Sequence, residues 1–220
     1  MLVWFGEEVF SLIHVIDYGL GNIEAFLNLY KRLGYGVTRA TNVDDLNGAT
    51  KVILPGVGAF DYAMMLLNQS GMRAALDDLV LEKKVPVLGV CVGMQIMAHS
   101  SEEGLASGLG WISAKVRGLS KTEQSQCLPV PHMGWNECTP KIGHPLFLGF
   151  ESDPRFYFLH SYYFDCDDHK DIAATTIYGF NFCSAISHNN IYGVQFHPEK
   201  SHDFGACLLK NFAEISNVET

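Results

Sequence analysis

The sequence is short of positive charge. Fifteen lysines and arginines face 24 aspartates and glutamates, leaving a net charge of −9. That balance offers little to neutralise a phosphate backbone, so nucleic acid is excluded as the expected partner. No run of 18 apolar residues occurs, which excludes a membrane-crossing helix. The first sixteen residues lack a basic start and carry Glu7 and Glu8, against a secretory signal and for a cytoplasmic protein. Neither Cys-x-x-Cys nor His-Glu-x-x-His is present, so no metal site and no cofactor is expected. Six cysteines, at 91, 127, 138, 166, 183 and 207, are spaced too loosely for a disulfide framework, and a chain of this size does not need one. Internal repeats and low-complexity linkers are lacking too.

What is present is a 220-residue chain that is 48% hydrophobic, enough to bury the core of one domain, or of two small ones at most. Residues 1–11 have no clear period and read as an extension of unknown role; a single domain is expected over 12–216. "LIHVI" (12–16) is a short apolar run and reads as a buried strand. Asn22 can cap a helix that carries Ile23, Phe26, Leu27, Tyr30 and Leu33 on one face and stops at Gly34. "GVTRAT" and "KVILPGVG" read as further strands, "AFDYAMMLLNQSG" and "MRAALDDLVLEKK" as helices, and "VPVLGV" as a strand running into a helix from Gly93. This alternation predicts an α/β fold with a mostly parallel sheet covered on both faces. The second half is β-rich: "GWISAKVRGL", "RFYFLHSYYFDC", "DIAATTIYGF" and "NFCSAISHNNIYGVQFHPE" add antiparallel strands, with "HNN" turning a hairpin. An amphipathic helix carrying Phe204, Cys207, Leu208, Phe212 and Ile215 closes the chain.

Chemistry concentrates in "GVCVG" (89–93). Gly-x-Cys-x-Gly has the form of a nucleophile elbow with cysteine in place of serine. The glycines permit a tight strand-to-helix turn, and the turn lifts a thiol above the carboxyl ends of the strands, where open α/β sheets bind ligands. A helix N-terminus below the sulfur favours the thiolate. The bland alternative is a small buried cysteine packing a strand end. A thiolate that attacks an acyl carbon also needs a proton shuttle. His197 in "GVQFHPEKS" follows an apolar strand, and Glu199 lies two residues on, on the same side if the backbone is extended. The alternative is a surface His-Pro-Glu turn. "LPGVGAF" (54–60) follows another strand, and its glycines can turn a backbone N–H toward an oxyanion beside that of Val92; a plain turn is the alternative. "DYGLGN" suggests a dinucleotide fingerprint, but its third glycine would fall on Glu24, so that reading fails.

The order of these elements decides among the alternatives. "GVCVGMQ" and "GVQFHPEKS" resemble the signatures of class I glutamine amidotransferases. "VIDYGLGN", "LPGVGAFDYAM", "SEEG", "PHMGWN" and "FLHSYY" resemble the glutaminase subunits of imidazole glycerol phosphate synthase, over roughly residues 12–215. The resemblance implies a flavodoxin-like fold and glutamine hydrolysis by a Cys91-His197-Glu199 triad. It implies an oxyanion site made by the backbone of Val92 and of Gly56, Val57 and Gly58, and L-glutamine held by Gln95, Glu103, Ser161 and Tyr162. It further implies a heterodimer with a (β/α)8 cyclase subunit that takes up the ammonia and makes imidazole glycerol phosphate and an aminoimidazole ribotide in histidine biosynthesis. "PHMGWN" faces the partner in such proteins, although Met-Gly-Trp could equally pack a core. Three rivals remain. One is a paralogous amidotransferase that feeds a surface-sugar synthetase. Another is a cysteine peptidase or deglycase, whose histidine should follow the cysteine closely; His99, in an expected helix, is the nearest. The last is a non-catalytic subunit, which the complete triad disfavours. The departures from the pattern are residues 1–11 and the polar "LSKTEQSQC" segment.

Overall fold

The computed structural model describes residues 12–121, 128–150 and 154–216; the 1–11 extension and most of "LSKTEQSQC" lie outside them. Five strands form the parallel half of the main sheet. They are β1 (Leu12–Ile16), β2 (Gly36–Ala40), β3 (Lys51–Gly56), β4 (Val87–Cys91) and β13 (Ile191–Val194), in the order β2-β1-β3-β4-β13. Every residue of β3, β4 and β13 is buried, which is why they read as unbroken apolar runs and not as alternating ones. The antiparallel half continues through β12 (Phe180–His188), β10 (Tyr162–Cys166) and β6 (Ala114–Gly118), and β5 (Ser100–Ser101) closes the edge parallel to β6. Strand β11 (Ile172–Tyr178) pairs with β12 and with β8 (Thr139–Pro140). The β12–β13 hairpin turns at Asn189-Asn190, with Asn189 at φ +52°, as "HNN" suggested.

Helix α1 (Ile23–Leu33) ends at Gly34 in the left-handed conformation, φ +82°. Asn22 occupies the cap position, but its side chain makes no capping bond. Tyr30 Oη donates to Leu209 O at 3.1 Å, tying α1 to the last helix, α5 (His202–Glu214). Helix α2 (Phe60–Gln69) follows β3. The expected single helix over 72–84 divides into α3 (Arg73–Asp77) and a π-turn, Asp78–Glu82. The helix expected from Gly93 is one turn, α4 (Val92–Gln95), so a long helix dipole does not stand under the thiol. His99 lies outside any helix, just before β5.

The β-rich stretch "RFYFLHSYYFDC" folds as two strands that belong to different sheets. Strand β9 (Arg155–His160) pairs with β7 (His132–Glu137) in a separate two-stranded sheet, and β10 returns to the main sheet. Ser161 is the break. "PHMGWN" is therefore mostly β7: His132 is 3% exposed while Met133 and Trp135 are 66% and 41% exposed. The alternation answers the open question about this segment, with histidine on the core side and methionine and tryptophan outward.

Candidate active site

Cys91 ends β4 at φ +55°, ψ −115°, a strained backbone for a residue with a Cβ. The flanking glycines explain how the turn fits. A Cβ on Gly93 would stand 1.9 Å from Leu54 O, and one on Gly89 would stand 2.7 Å from Met94 Cα. Strand β3 and α4 close on the elbow so tightly that only hydrogen fits at either position. Gly56, paired with Cys91 across β3–β4, is packed in the same way; its Cβ would lie 2.6 Å from Gly93 N.

His197 stands three residues past β13, and its N–H donates to Tyr157 O at 2.9 Å. The expectation that strand geometry carries Glu199 to the same side as His197 is corrected: Pro198–Lys200 is a single 3₁₀ turn. Pro198, with its fixed φ, starts this turn, and the turn brings Glu199 Oε1 to 2.9 Å from His197 Nδ1. Ser201 Oγ locks it by donating to His197 O at 2.6 Å and accepting from Tyr157 N at 3.0 Å. Both triad side chains are buried, at 3% and 2% exposure. Burial pulls the imidazole pKa down, but hydrogen bonding to Cys91 and Glu199, with their negative charge, outweighs it and raises His197 to about 10. Both partners therefore favour the protonated imidazole.

These groups border a cavity of about 280 Å³. Of the residues expected in the site, Val57, Gly58, Cys91, Val92, Gln95, Glu103, Ser161, Tyr162 and His197 line it. Gly56 and Glu199 do not line it: Gly56 packs against Val92 and Gly93, and Glu199 bonds to His197 Nδ1. Two of the expected glutamine contacts are also structural. Glu103 Oε2 accepts from Phe60 N at 2.8 Å, capping α2 and fixing the far end of the 57–59 loop. Asp61, one residue on, accepts from Leu105 N at 2.9 Å and Ala106 N at 3.0 Å, so loop and helix cap each other. Gln95 Nε2 donates to Tyr162 O at 3.0 Å and to Gln195 Oε1 at 2.9 Å.

Sequence reasoning missed four features. Gln195, fully buried, donates from Nε2 to Cys91 Sγ at 3.8 Å. Tyr18, from "DYGLGN", donates to Pro55 O at 2.8 Å beneath the glycine loop, and burial together with Cys91 holds its hydroxyl protonated. His160 lines the cavity and bonds to His132 at 2.9 Å. Burial lowers His132 to about 4, and burial and the neighbouring His132 lower His160 to about 3, so both are neutral. Lys200 reaches the cavity rim and lies 5.9 Å over the Tyr157 ring. Gln195 and Lys200 stood inside "GVQFHPEKS", flanking the pair that drew attention. Among the described residues no cluster of three His, Cys, Asp or Glu side chains is arranged to hold a metal ion, and no helix is long and apolar enough to cross a membrane.

The comparisons fit this geometry. Residues 14–215 match the family model described as glutamine amidotransferase class-I. The chain is 56% identical over 204 residues to a Bdellovibrio bacteriovorus protein, "Imidazole glycerol phosphate synthase subunit HisH", covering 93% of this chain and 100% of that one. Relatives of the same name from Leptospira interrogans (50%) and, as "HisH 2", Pseudomonas aeruginosa (45%) cover the same shares. Among solved structures, a putative GMP synthase protein from Thermoplasma acidophilum superposes with a TM-score of 0.69 at 22% identity, covering 93% of this chain and 92% of that one. PurLQS from Thermotoga maritima superposes at 0.68 and 14% identity, covering 92% and 97%. At such identities these structures speak for the fold alone. With a family match over nearly the whole chain and relatives at half identity or better, the chain belongs to the class-I glutamine amidotransferase family.

Proposed function

We propose that this chain is the glutaminase subunit of imidazole glycerol phosphate synthase. It hydrolyses glutamine to glutamate and passes the ammonia to a (β/α)8 cyclase, working in the cytoplasm as one amidotransferase domain over residues 12–216. The observation that carries the chemistry is the Cys91-His197-Glu199 arrangement at a cavity of about 280 Å³. The assignment to this synthase is supported by the relatives' names and by their coverage of the chain.

The mechanism follows from the charges. His197, oriented by Glu199 and hydrogen-bonded to Cys91, takes the thiol proton, and Cys91 reacts as the thiolate, the nucleophilic form of sulfur. Its sulfur attacks the side-chain amide carbon of glutamine. The carbonyl electrons move to oxygen, facing the N–H of Val92 and the Val57-Gly58 turn that lines the cavity. His197 Nε2 gives its proton to the departing nitrogen, the C–N bond breaks, and ammonia leaves a thioester on Cys91. Water then attacks, His197 takes its proton, the C–S bond breaks, and glutamate leaves. Glu199 keeps the imidazole oriented and stabilises its charged form throughout. Gln95, Glu103, Ser161 and Tyr162 hold the amino-acid end. Gln95 has committed both N–H donors, so its remaining acceptor, Oε1, is what it can offer glutamine. The cyclase docks on the outer face of β7, where Met133 and Trp135 are exposed and Trp135 stacks on His202 with ring centroids 5.3 Å apart.

The test is glutamate release from glutamine by the full chain, with and without a purified cyclase and its ribotide ligand, beside Cys91→Ala. Stimulated release that disappears in Cys91→Ala is expected. No release in any mixture from folded chain would overturn the assignment, and the surface-sugar synthetase would then be the partner to try.

A further inference from the structure

Gln195 lies one residue beyond β13. The parallel register pairs Val194 with Val90, so Gln195 sits level with Cys91, and its Nε2 approaches Sγ at 3.8 Å. Which end of this amide faces the sulfur follows from chemistry. Tyr162 O is a backbone carbonyl and can only accept, so the Gln95 atom 3.0 Å from it must be nitrogen. That nitrogen's second hydrogen points at the Gln195 atom 2.9 Å away, which must then be oxygen. The other end of Gln195, the one facing Cys91, is therefore an N–H donor. The carbonyl that sets this order is itself braced. His160 Nδ1 lies 2.8 Å from Tyr162 O and must donate to it, so His160 Nε2 accepts from His132 Nδ1 at 2.9 Å. His132 Nε2 in turn accepts from Asn136 Nδ2 at 3.2 Å.

We infer that Gln195 is a residue of the reaction itself: its side-chain N–H, pointed by Tyr162 O through Gln95, holds the Cys91 sulfur and stabilises its negative charge. The inference rests on Cys91 being the nucleophile. A donor at this distance has a defined use in the cycle. It stabilises the thiolate before attack and again when glutamate leaves, and it has no anionic partner while the thioester stands. Its gain is thus confined to states in which sulfur is charged. Around Sγ, Gln195 shares the hydrogen-bonding shell with His197; the Leu159 carbonyl, whose oxygen is 3.9 Å away, can accept only from the neutral thiol and gives the thiolate nothing.

The experiment is iodoacetamide alkylation of Cys91 in the full chain, read by peptide mass spectrometry from pH 5 to 10, with glutamine turnover measured alongside. The variants are Gln195→Glu, which keeps Oε1 for Gln95 but replaces the donor with an acceptor, and Gln195→Met, which keeps the volume and removes both. In each, the midpoint of the alkylation profile is expected to move up by about one pH unit and the rate at pH 7 to fall about tenfold. Turnover should fall at least about tenfold in kcat with little change in KM. Two variants of near-native volume guard against a single folding failure. A packing role alone would leave the midpoint in place, so folded Gln195 variants whose profiles overlay the wild type would overturn the inference. Turnover that survives Cys91→Ala would instead overturn the reading beneath it.

Discussion

Gly205 offers the sharpest test of how the triad is held. It sits in the first turns of α5 and does not line the cavity, yet a Cβ there would stand 1.8 Å from Pro198 O and 2.7 Å from Pro198 C. Pro198 is the residue between His197 and Glu199, so α5 serves as the floor under the turn that makes the triad. Relieving the clash to 3.0 Å, the closest approach a Cβ tolerates, needs a displacement of about 1.2 Å. The backbone on both sides is packed, so α5 and the His-Pro-Glu turn must share that movement. Two effects on stability oppose each other in Gly205→Ala. Alanine improves helix propensity by about 1 kcal/mol, whereas overpacking costs about 1–3 kcal/mol. The net loss is then about 0–2 kcal/mol, a few degrees in Tm for a chain of this size. Activity has no such compensation. Misplacing a catalytic group by about 1 Å costs on the order of 10²-fold, equivalent to about 2.7 kcal/mol in the barrier. The assay is glutamine turnover beside thermal denaturation, with Lys210→Gly as the control. Lys210 is on the same helix with an exposed side chain, so glycine there weakens α5 by about 1 kcal/mol without touching Pro198. Gly205→Ala is expected to lose about 10²-fold in kcat/KM, and Lys210→Gly to keep near wild-type turnover. Turnover by Gly205→Ala within twofold of wild type would show that the turn does not depend on its floor.

Other perturbations reach different parts of the same site. Glu199→Gln keeps the shape of the carboxylate but removes its charge from His197, bonded at 2.9 Å; kcat should fall by about 10²–10⁴-fold and the basic limb of the pH–rate profile should move down. A profile with an unmoved basic limb would refute the role given to that charge. Acid stability should report the buried histidines: burial lowers His132 and His144 to about 4 and His160 to about 3, so their contribution is present above about pH 6.5 and fades as pH falls toward those values, by up to about 1.4 kcal/mol per pH unit for each group. His197, raised to about 10, acts in the opposite sense, its contribution being full below about pH 6.5 and lost as pH rises toward 10. Chemical denaturation across pH 4–9 should therefore show a maximum near pH 6–7, and a flat curve below pH 6.5 would contradict the neutral histidines. Asp61→Ala removes the acceptor for Leu105 N and Ala106 N and should loosen the segment that carries Glu103, raising KM for glutamine about tenfold with kcat within about twofold; an unchanged KM would place the amino-acid end elsewhere.

How far the sequence reaches is set by the range of the interactions involved. Strands β3 and β4 were legible because each is wholly buried and announces itself by composition alone. The elbow was legible because Gly89 and Gly93 answer to local crowding, a strand and a helix turn closing on the same peptide. The 3₁₀ form of Pro198–Lys200 was not, since the same His-x-Glu spacing works in an extended chain, and what chooses the turn is Ser201 bridging His197 O and Tyr157 N. Nor was the break at Ser161, because both halves of "FLHSYYF" have strand composition and only their partners differ, β7 for the first and β6 and β12 for the second.

Gln195 shows where such reading stops and what the fold adds. It is separated from Cys91 by 104 positions, and no periodicity links the two. Their meeting depends on strand order: β13 lies beside β4 in parallel, with Gly193 against Gly89 and Val194 against Val90. Both glycines are needed there, since a Cβ on Gly193 would stand 2.5 Å from Met94 Cγ and one on Gly89 would stand 2.7 Å from Met94 Cα. A slip of one residue along β13 would turn each of its side chains to the other face of the sheet and put a valine or tyrosine against Met94. The register is thereby fixed by packing, and it has two consequences at once. It delivers the His-Pro-Glu turn to the mouth of the elbow, and it sets the residue two before the histidine level with the nucleophile. A chain that brings His197 to Cys91 by this route therefore also brings Gln195, so the chemistry at that position is inherited from strand register and not from any motif around it.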